Sequence, residues 1–246
     1  MKKEITTYKA FNQDWTCRGH KYEIGQKYEM KGEIKACDRG FHGCENPLDV
    51  LSYYDLTDSK FAACTQFGTF SSDGDDSKIA SSGISVDREI SLNELINASV
   101  EWAFKENDTS SGDYAQLASS GRSAKLASSG DVAQLASSGD VAQLASSGDS
   151  ARLASSGRSA KLASSGDVAQ LASSGDHARL ASSGDVAQLA SSGDSARLAS
   201  SGDSAKLASS GDRARLASSG FNGVVSSSGP NSQAKGAVGT WISIAE

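Results

Sequence analysis

From Ser110 onward the chain repeats one pattern of polar and apolar positions, S-S-G-D-x-A-x-L-A, every nine residues. Gly recurs at 112, 121, 130 and each ninth position to 220, then at 229, and Leu recurs twelve times between 117 and 216. Within a unit, A-x-L alternates small apolar, polar and large apolar. That period of two places Ala and Leu on one face of a strand. The S-S-G-D stretch carries turn chemistry: Gly is free to take a positive φ, and Ser and Asp satisfy nearby backbone N–H groups. On this reading each Asp caps its own turn. A helix is excluded, because Gly would interrupt it in every unit. One unit cannot bury its Leu alone, whereas units stacked at roughly 4.8 Å can. The period therefore predicts a parallel β-solenoid.

The variable positions set the size of a coil. The residue after Gly is Asp at 113, 131, 149, 167, 185 and 203, but reads Arg, Asp, Arg, Asp, Asp, Asp at 122, 140, 158, 176, 194 and 212. A longer duplication, GRSAKLASSGDVAQLASSGD, starts at 121 and again at 157, a separation of 36 residues. Alternate repeats thus face different surroundings, which predicts an 18-residue coil of two strands and about six coils. Leu117, Leu135 and Leu153 should stack on one ladder, and Leu126, Leu144 and Leu162 on the other.

Ahead of the repeats the pattern changes. ITTYKAF, KYEIGQKYEM and IKAC read as short strands. Asn46 is a candidate N-cap, with Pro47 at the first helical position and Leu48, Leu51 and Tyr54 on one face. Ser91-Leu92-Asn93-Glu94 is a capping box opening an amphipathic helix to about Lys105, expected to cap the first coil. Gly74 to Gly83 matches the repeat and reads as a degenerate first rung. The expected architecture is mostly β: a solenoid of nine-residue repeats, two per coil, with a small α+β N-terminal domain and a capping helix. Its boundaries are 1–70 for the N-terminal domain, 71–109 for the rung and helix, 110–232 for the solenoid and 233–246 for a closing strand.

Composition narrows the function. Hydrophobic residues make up 37% and Pro only 2 residues of the 246, so low complexity here means repetition rather than disorder. Residues 1–111 hold 19 acidic and 13 basic side chains, whereas 112–220 balance 10 against 10. Neither half offers the basic surface that nucleic acid requires. No apolar run is long enough for a signal peptide or membrane span, so a cytoplasmic setting with reduced thiols is expected.

The toxin-type calcium nonapeptide shares this period, but Ala115 stands where its liganding Asp belongs and Asp113 where its second turn Gly belongs. Calcium is not expected, and charges on the outside argue against an ice-binding face. All four cysteines lie within the first 64 residues. Cys17-x₂-His20 with Cys37 and His42-x-Cys44 matches no compact zinc finger. Buried thiols are the reading, with zinc or a disulfide as alternatives. No metal, cofactor or catalytic residue is assigned.

Tyr8-Lys9-Ala10-Phe11, Cys17-Arg18-Gly19, Gly40-Phe41-His42, Cys44-Glu45-Asn46-Pro47-Leu48-Asp49-Val50-Leu51 and Tyr53-Tyr54, followed by short tandem repeats and a W-I-x-x-A-E ending, resemble an uncharacterised family of phages and prophages. Relatives tend to carry an aromatic where this chain has His20. The resemblance implies a viral setting inside a host bacterium and brings no activity. The expected function is non-enzymatic: binding a host protein, as an inhibitor for instance, or self-assembly. The alternative is a degenerate ADP-ribosyltransferase-like enzyme, for which Arg18-Gly19 and Gly40-Phe41-His42 would supply the early Arg-Gly and the G-F-x motif. The S-T-S triplet and the later E-x-E of such enzymes are missing.

In the repeats with the unbroken Asp ladder, Val132, Val168 and Val186 alternate with Gln134, Gln170 and Gln188 and with small Ala residues. This flat, weakly charged surface is the expected interface, with a homodimer as the simplest assembly. The other repeats, flanked by Lys and Arg, are expected to be solvated.

Overall fold

The computed structural model describes residues 4–54, 59–72, 77–106, 108–110 and 112–245. They divide into two compact units, Met1–Leu95 and Ile96–Glu246.

The first unit begins with β1 (Glu4–Phe11), β2 (Thr16–Cys17), β3 (His20–Lys21), β4 (Lys27–Glu29) and β5 (Phe41–Cys44). The Pro47–Ser52 3₁₀ helix follows, with the Asn46 side chain accepting from Leu48 N–H as its cap. Then come the 13-residue strands β6 (Lys60–Ser72) and β7 (Lys78–Ile90). β6 pairs antiparallel with both β1 and β7, while β5 bridges β1 and β7. These four strands close on themselves, and two register shifts in the β6–β7 ladder bend the long strands around. Phe11, Tyr22, Phe41, Ala62, Cys64, Ile84 and Val86 fill the interior.

The N-terminal domain is a small β domain with one short 3₁₀ helix. Two expectations are corrected here. The supposed first rung is no rung: residues 78–83 lie in β7, hydrogen-bonded antiparallel to β5 and β6, and Gly74 to Asp76 lie outside the described residues. IKAC forms no strand; only an isolated bridge joins Lys35 and Arg39.

The α1 helix (Leu92–Glu106) starts with the expected capping box: Ser91 Oγ accepts from Glu94 N–H, and Glu94 accepts from Ser91 N–H. In the second unit it leads to Asp108–Ser110, the first strand of the solenoid.

Alternate repeats do lie on opposite sheets. Sheet I runs from Asp108–Ser110 through Lys125–Ser128 and Gln143–Ser146 to Gln233–Gly236; sheet II runs from Gln116–Ser119 through Gln134–Ser137 to Trp241–Ile244. Each has eight parallel strands, so the solenoid has about seven turns instead of six and a length of about 34 Å. The extra turn comes from the worn repeats: Val224–Ser227 and Trp241–Ile244 pair as further rungs. Leu117, Leu135 and Leu153 stack in register on sheet II, and Leu126, Leu144 and Leu162 on sheet I. Leu and Ala from both sheets form one continuous core, each Leu contributing about 1.5–3 kcal/mol by burial.

The corners work differently from the sequence reading. The repeat Gly residues do not carry the positive φ; the residue two places later does, as at Val132 (φ 58), Val168 (φ 58) and Val186 (φ 58). Gly is required by close approach. A Cβ on Gly166 would stand 2.1 Å from the carbonyl oxygen of Gly148 in the coil before. Nor does each Asp cap its own turn. Asp167 accepts from the backbone N–H of Asp185, and Asp185 from that of Asp203, at 2.8 and 2.7 Å, each 18 residues on. The carboxylate ladder staples coil to coil.

Candidate functional site

Two surfaces have the chemistry to bind something. The first is on the solenoid. Along sheet II the strands alternate exposed and buried: Gln134 and Ala136 face outward, Leu135 and Ser137 inward. Gln134, Gln170 and Gln188 are all exposed at the head of their strands, and a shallow groove floored by Ala118, Ala136, Ala154, Ala172, Ala190 and Ala208 runs beside them. The valines stand at the preceding corner rather than on the face. Val168 and Val186 are each 44% exposed, while Val132 is half-buried. A left-handed φ on a β-branched residue is unfavourable, on the order of 1–3 kcal/mol.

Sheet I is not the solvated side. Its outward residues Ala127, Ala145, Ala163, Ala181 and Ala199 are buried, and so is Lys161. The part of α1 within this unit lies along that face: Ser183 Oγ donates to Asn97 Oδ1 at 2.7 Å, and the Lys125 ammonium sits 5.4 Å from the centroid of Trp102. Asn97 meets a later coil than Trp102 does, so the helix runs backward along sheet I and does not cap the first coil's end. Outward Ala makes this possible, because only a small side chain lets a helix approach the sheet.

The second surface is a cavity of about 650 Å³ in the first unit. β1 brings Tyr8 and Lys9 to it, the β2–β3 turn brings Arg18, β5 brings Phe41, His42 and Cys44, the segment after the 3₁₀ helix brings Tyr53 and Tyr54, and β7 brings Lys78. Arg18 and Gly19 form a two-residue turn with φ of 49 and 78, the conformation of a tight hairpin. Lys9 is only 5% exposed. Its ammonium donates to the His42 carbonyl at 3.0 Å and to the Tyr54 hydroxyl at 3.2 Å. Tyr54 Oη also lies 3.1 Å from Cys17 Sγ. Burial, reinforced by that thiol, holds the Tyr54 hydroxyl well above its ordinary pKa, and the phenol stays neutral. His42 is shifted downward, first by burial and then by Lys9, Arg18 and Lys78.

Lys9 was missed as a site residue, although the period-two pattern of β1 carried the signal: Thr7, Lys9 and Phe11 share one face, and all three are buried. Arg18 and His42, the pair suggested for a transferase-like core, do meet in this cavity, but Arg18 stands in a turn rather than within a strand. No disulfide joins the four cysteines; Cys44 and Cys64 are buried, and burial pushes Cys64 up to about 12. Cys17, Cys37 and Cys44 border the cavity, yet among the described residues no three His, Cys, Asp or Glu side chains are grouped to hold a metal ion. No helix of the described residues is long and apolar enough to cross a membrane.

No curated protein matches the chain, and no solved structure does. Residues 5–98 match a family model described as a domain of unknown function (DUF7666). The match covers the closed β domain and the start of α1 and stops before the repeats, so the residues that line the cavity fall within the matched segment.

Proposed function

We propose that the protein acts by binding another protein, through the outer face of sheet II and the valine corner beside it, and that a second copy of the chain fits this surface best. The observation that carries the reading is the state of the valines. Val168 and Val186 are exposed and held at φ 58, where Asn would sit without penalty, as Asn222 and Asn231 do at the same place in the last repeats. A partner that covers the isopropyl groups explains why strained Val stands there.

The charge pattern agrees. At the exposed head of the sheet II strands, Gln116, Gln134, Gln170 and Gln188 outnumber Arg152 and Lys206, so a copy can approach without strong repulsion. Sheet II is about 34 Å long and its strands about 13 Å wide, less than the roughly 800 Å² per partner of a standard interface. Face and corner must therefore both be covered. A two-fold axis would bring Val168 and Val186 of each copy onto the same surface of the other. Binding a host protein inside an infected bacterium is the other occupant, and it suits the phage-like sequence.

Light scattering at high micromolar concentration tests this. A dimer is expected, and Val168→Lys with Val186→Lys should yield a folded monomer. Val186→Asn should hold the rod as firmly or more so while weakening association. A wild-type monomer at that concentration would sink the self-pairing.

A further inference from the structure

We propose that the cavity of the first unit is a nucleotide site, with the ligand's phosphate seated among Lys9, Arg18 and Lys78 and its base against the tyrosine-rich wall. The inference is independent of the solenoid's role.

It begins with Lys9. The ammonium has three protons to donate, and its two hydrogen bonds go to neutral oxygens, the His42 carbonyl and the Tyr54 hydroxyl. Phe11, Tyr22 and Tyr54 present ring centroids at 5.5, 6.0 and 5.8 Å, which offsets part of the lost hydration. Among the described residues no carboxylate lies within ion-pair distance of it. A cation 5% exposed and without a counter-charge is costly, and an incoming anion relieves that cost.

The surroundings specify the anion. Among the described residues that line the cavity, Lys9, Arg18 and Lys78 face a single carboxylate, Glu29. Residues 1–95 as a whole carry 16 acidic and 12 basic side chains, so the cavity reverses the sign of its own unit. Such a concave cationic focus in an acidic body draws anions inward. Three cations converging on one cavity suit a phosphate dianion better than a single carboxylate.

The rest of the lining suits what a nucleotide carries beside its phosphate. Tyr8, Tyr22, Phe41, Tyr53 and Tyr54 supply aromatic surface, and Tyr53 is 45% exposed with the Lys78 ammonium 4.2 Å over its ring. Bases stack on such rings. His42 Nε2 is buried without a hydrogen-bond partner, while the ring's other nitrogen bonds the Gly40 backbone. The imidazole is held neutral by burial and by the cations, so Nε2 offers a lone pair, and a ribose hydroxyl is a fitting donor. The volume of about 650 Å³ falls within the usual range of small-molecule sites.

Calorimetry on the full chain with AMP, GMP, CMP and UMP tests the site, with the four nucleosides and inorganic phosphate as controls. At least one nucleotide should bind, at least about tenfold tighter than its nucleoside or phosphate alone, since each half supplies only part of the contacts. Arg18→Asn is the decisive variant. Asn-Gly is a favoured pair for this turn, so the fold should be kept or strengthened while the charge-assisted contact is lost and affinity falls about tenfold. Lys9→Met should weaken binding further. The proposal is overturned if no nucleotide binds tighter than inorganic phosphate, or if Arg18→Asn binds as tightly as the natural chain.

Discussion

Sheets I and II are written in the same nine residues and share one core, yet their outer faces have opposite fates. Ala172 on sheet II is exposed; Ala181, nine residues later on sheet I, is buried. Inside, the two sheets are equivalent, because Leu171 and Leu180 are each about 1% exposed. The motif dictates what points inward, since the coil supplies that environment itself. What lies outside is supplied by other parts of the chain. The residue before Leu registers the difference, Gln being commoner on sheet II and Lys or Arg on sheet I. Long cationic stems pack along buried apolar surface while their heads find polar partners, so this bias marks the covered side and not the wet one.

The largest expected effect is one that ignores the comparison. Gly166→Ala and Gly175→Ala stand at opposite corners, and the added Cβ would meet a carbonyl oxygen of the preceding coil at 2.1 and 2.0 Å. Backbone cannot yield there as a side chain tip would, so each should cost about 3 kcal/mol or more in urea denaturation. A cost below about 1 kcal/mol at either corner would mean that the coils are not this closely stacked.

The comparison is tested most sharply by Lys at the outward Ala. Ala181→Lys on sheet I forces a long cation into a buried site and should cost about 2–3 kcal/mol. Ala172→Lys on sheet II should stay within about 0.5 kcal/mol, because its side chain reaches solvent. Equal costs would erase the asymmetry.

Much of this was legible in the sequence. The nine-residue period, the two-strand coil, the Leu ladders and the Ser91 capping box all follow from local pattern. What escaped depends on partners distant in the chain. Ser77 to Gly83 reads like a repeat, but β6 and β5 lie beside it and make it an antiparallel strand. The Asp carboxylates cap groups 18 residues away, a distance that has no meaning until the coil is closed. The cavity was half legible: Arg18 and His42 stood out as motif residues, whereas Lys9 shows itself only through the strand alternation that turns it inward.

Removing a carboxylate from the ladder should have a moderate effect. Asp167→Ala frees the N–H of Asp185 and should cost about 1 kcal/mol, as loss of a capping acceptor does. The chain contains a natural version: Arg158 stands in the Asp position, and its own N–H is capped by Asp140 of the coil before. Arg158→Asp should therefore stabilise the next coil by a comparable amount, seen as a shift in urea midpoint. No change in either variant would make the ladder mere solvated surface.

The smallest effect sets one strand end of sheet II against its neighbour on sheet I, because its sign is expected to differ between Ser173 and Ser182; farther along sheet II, Ser191 and Ser209 are as unpartnered as Ser182. Ser173 ends a sheet II strand, and its Oγ accepts from the N–H of Gly175 at 3.3 Å. Ser182 ends the next strand, on sheet I, and its Oγ is buried with no partner. Removing the first hydroxyl strands a donor at the corner, which costs about 0.5–1.5 kcal/mol; removing the second eliminates an unmet polar group and should be neutral or stabilising by a few tenths of a kcal/mol. Ser173→Ala should thus lower the urea midpoint and Ser182→Ala leave or raise it, although both change the same residue at the same place in the repeat. Equal losses from the two substitutions would mean that the Ser182 hydroxyl is bonded after all.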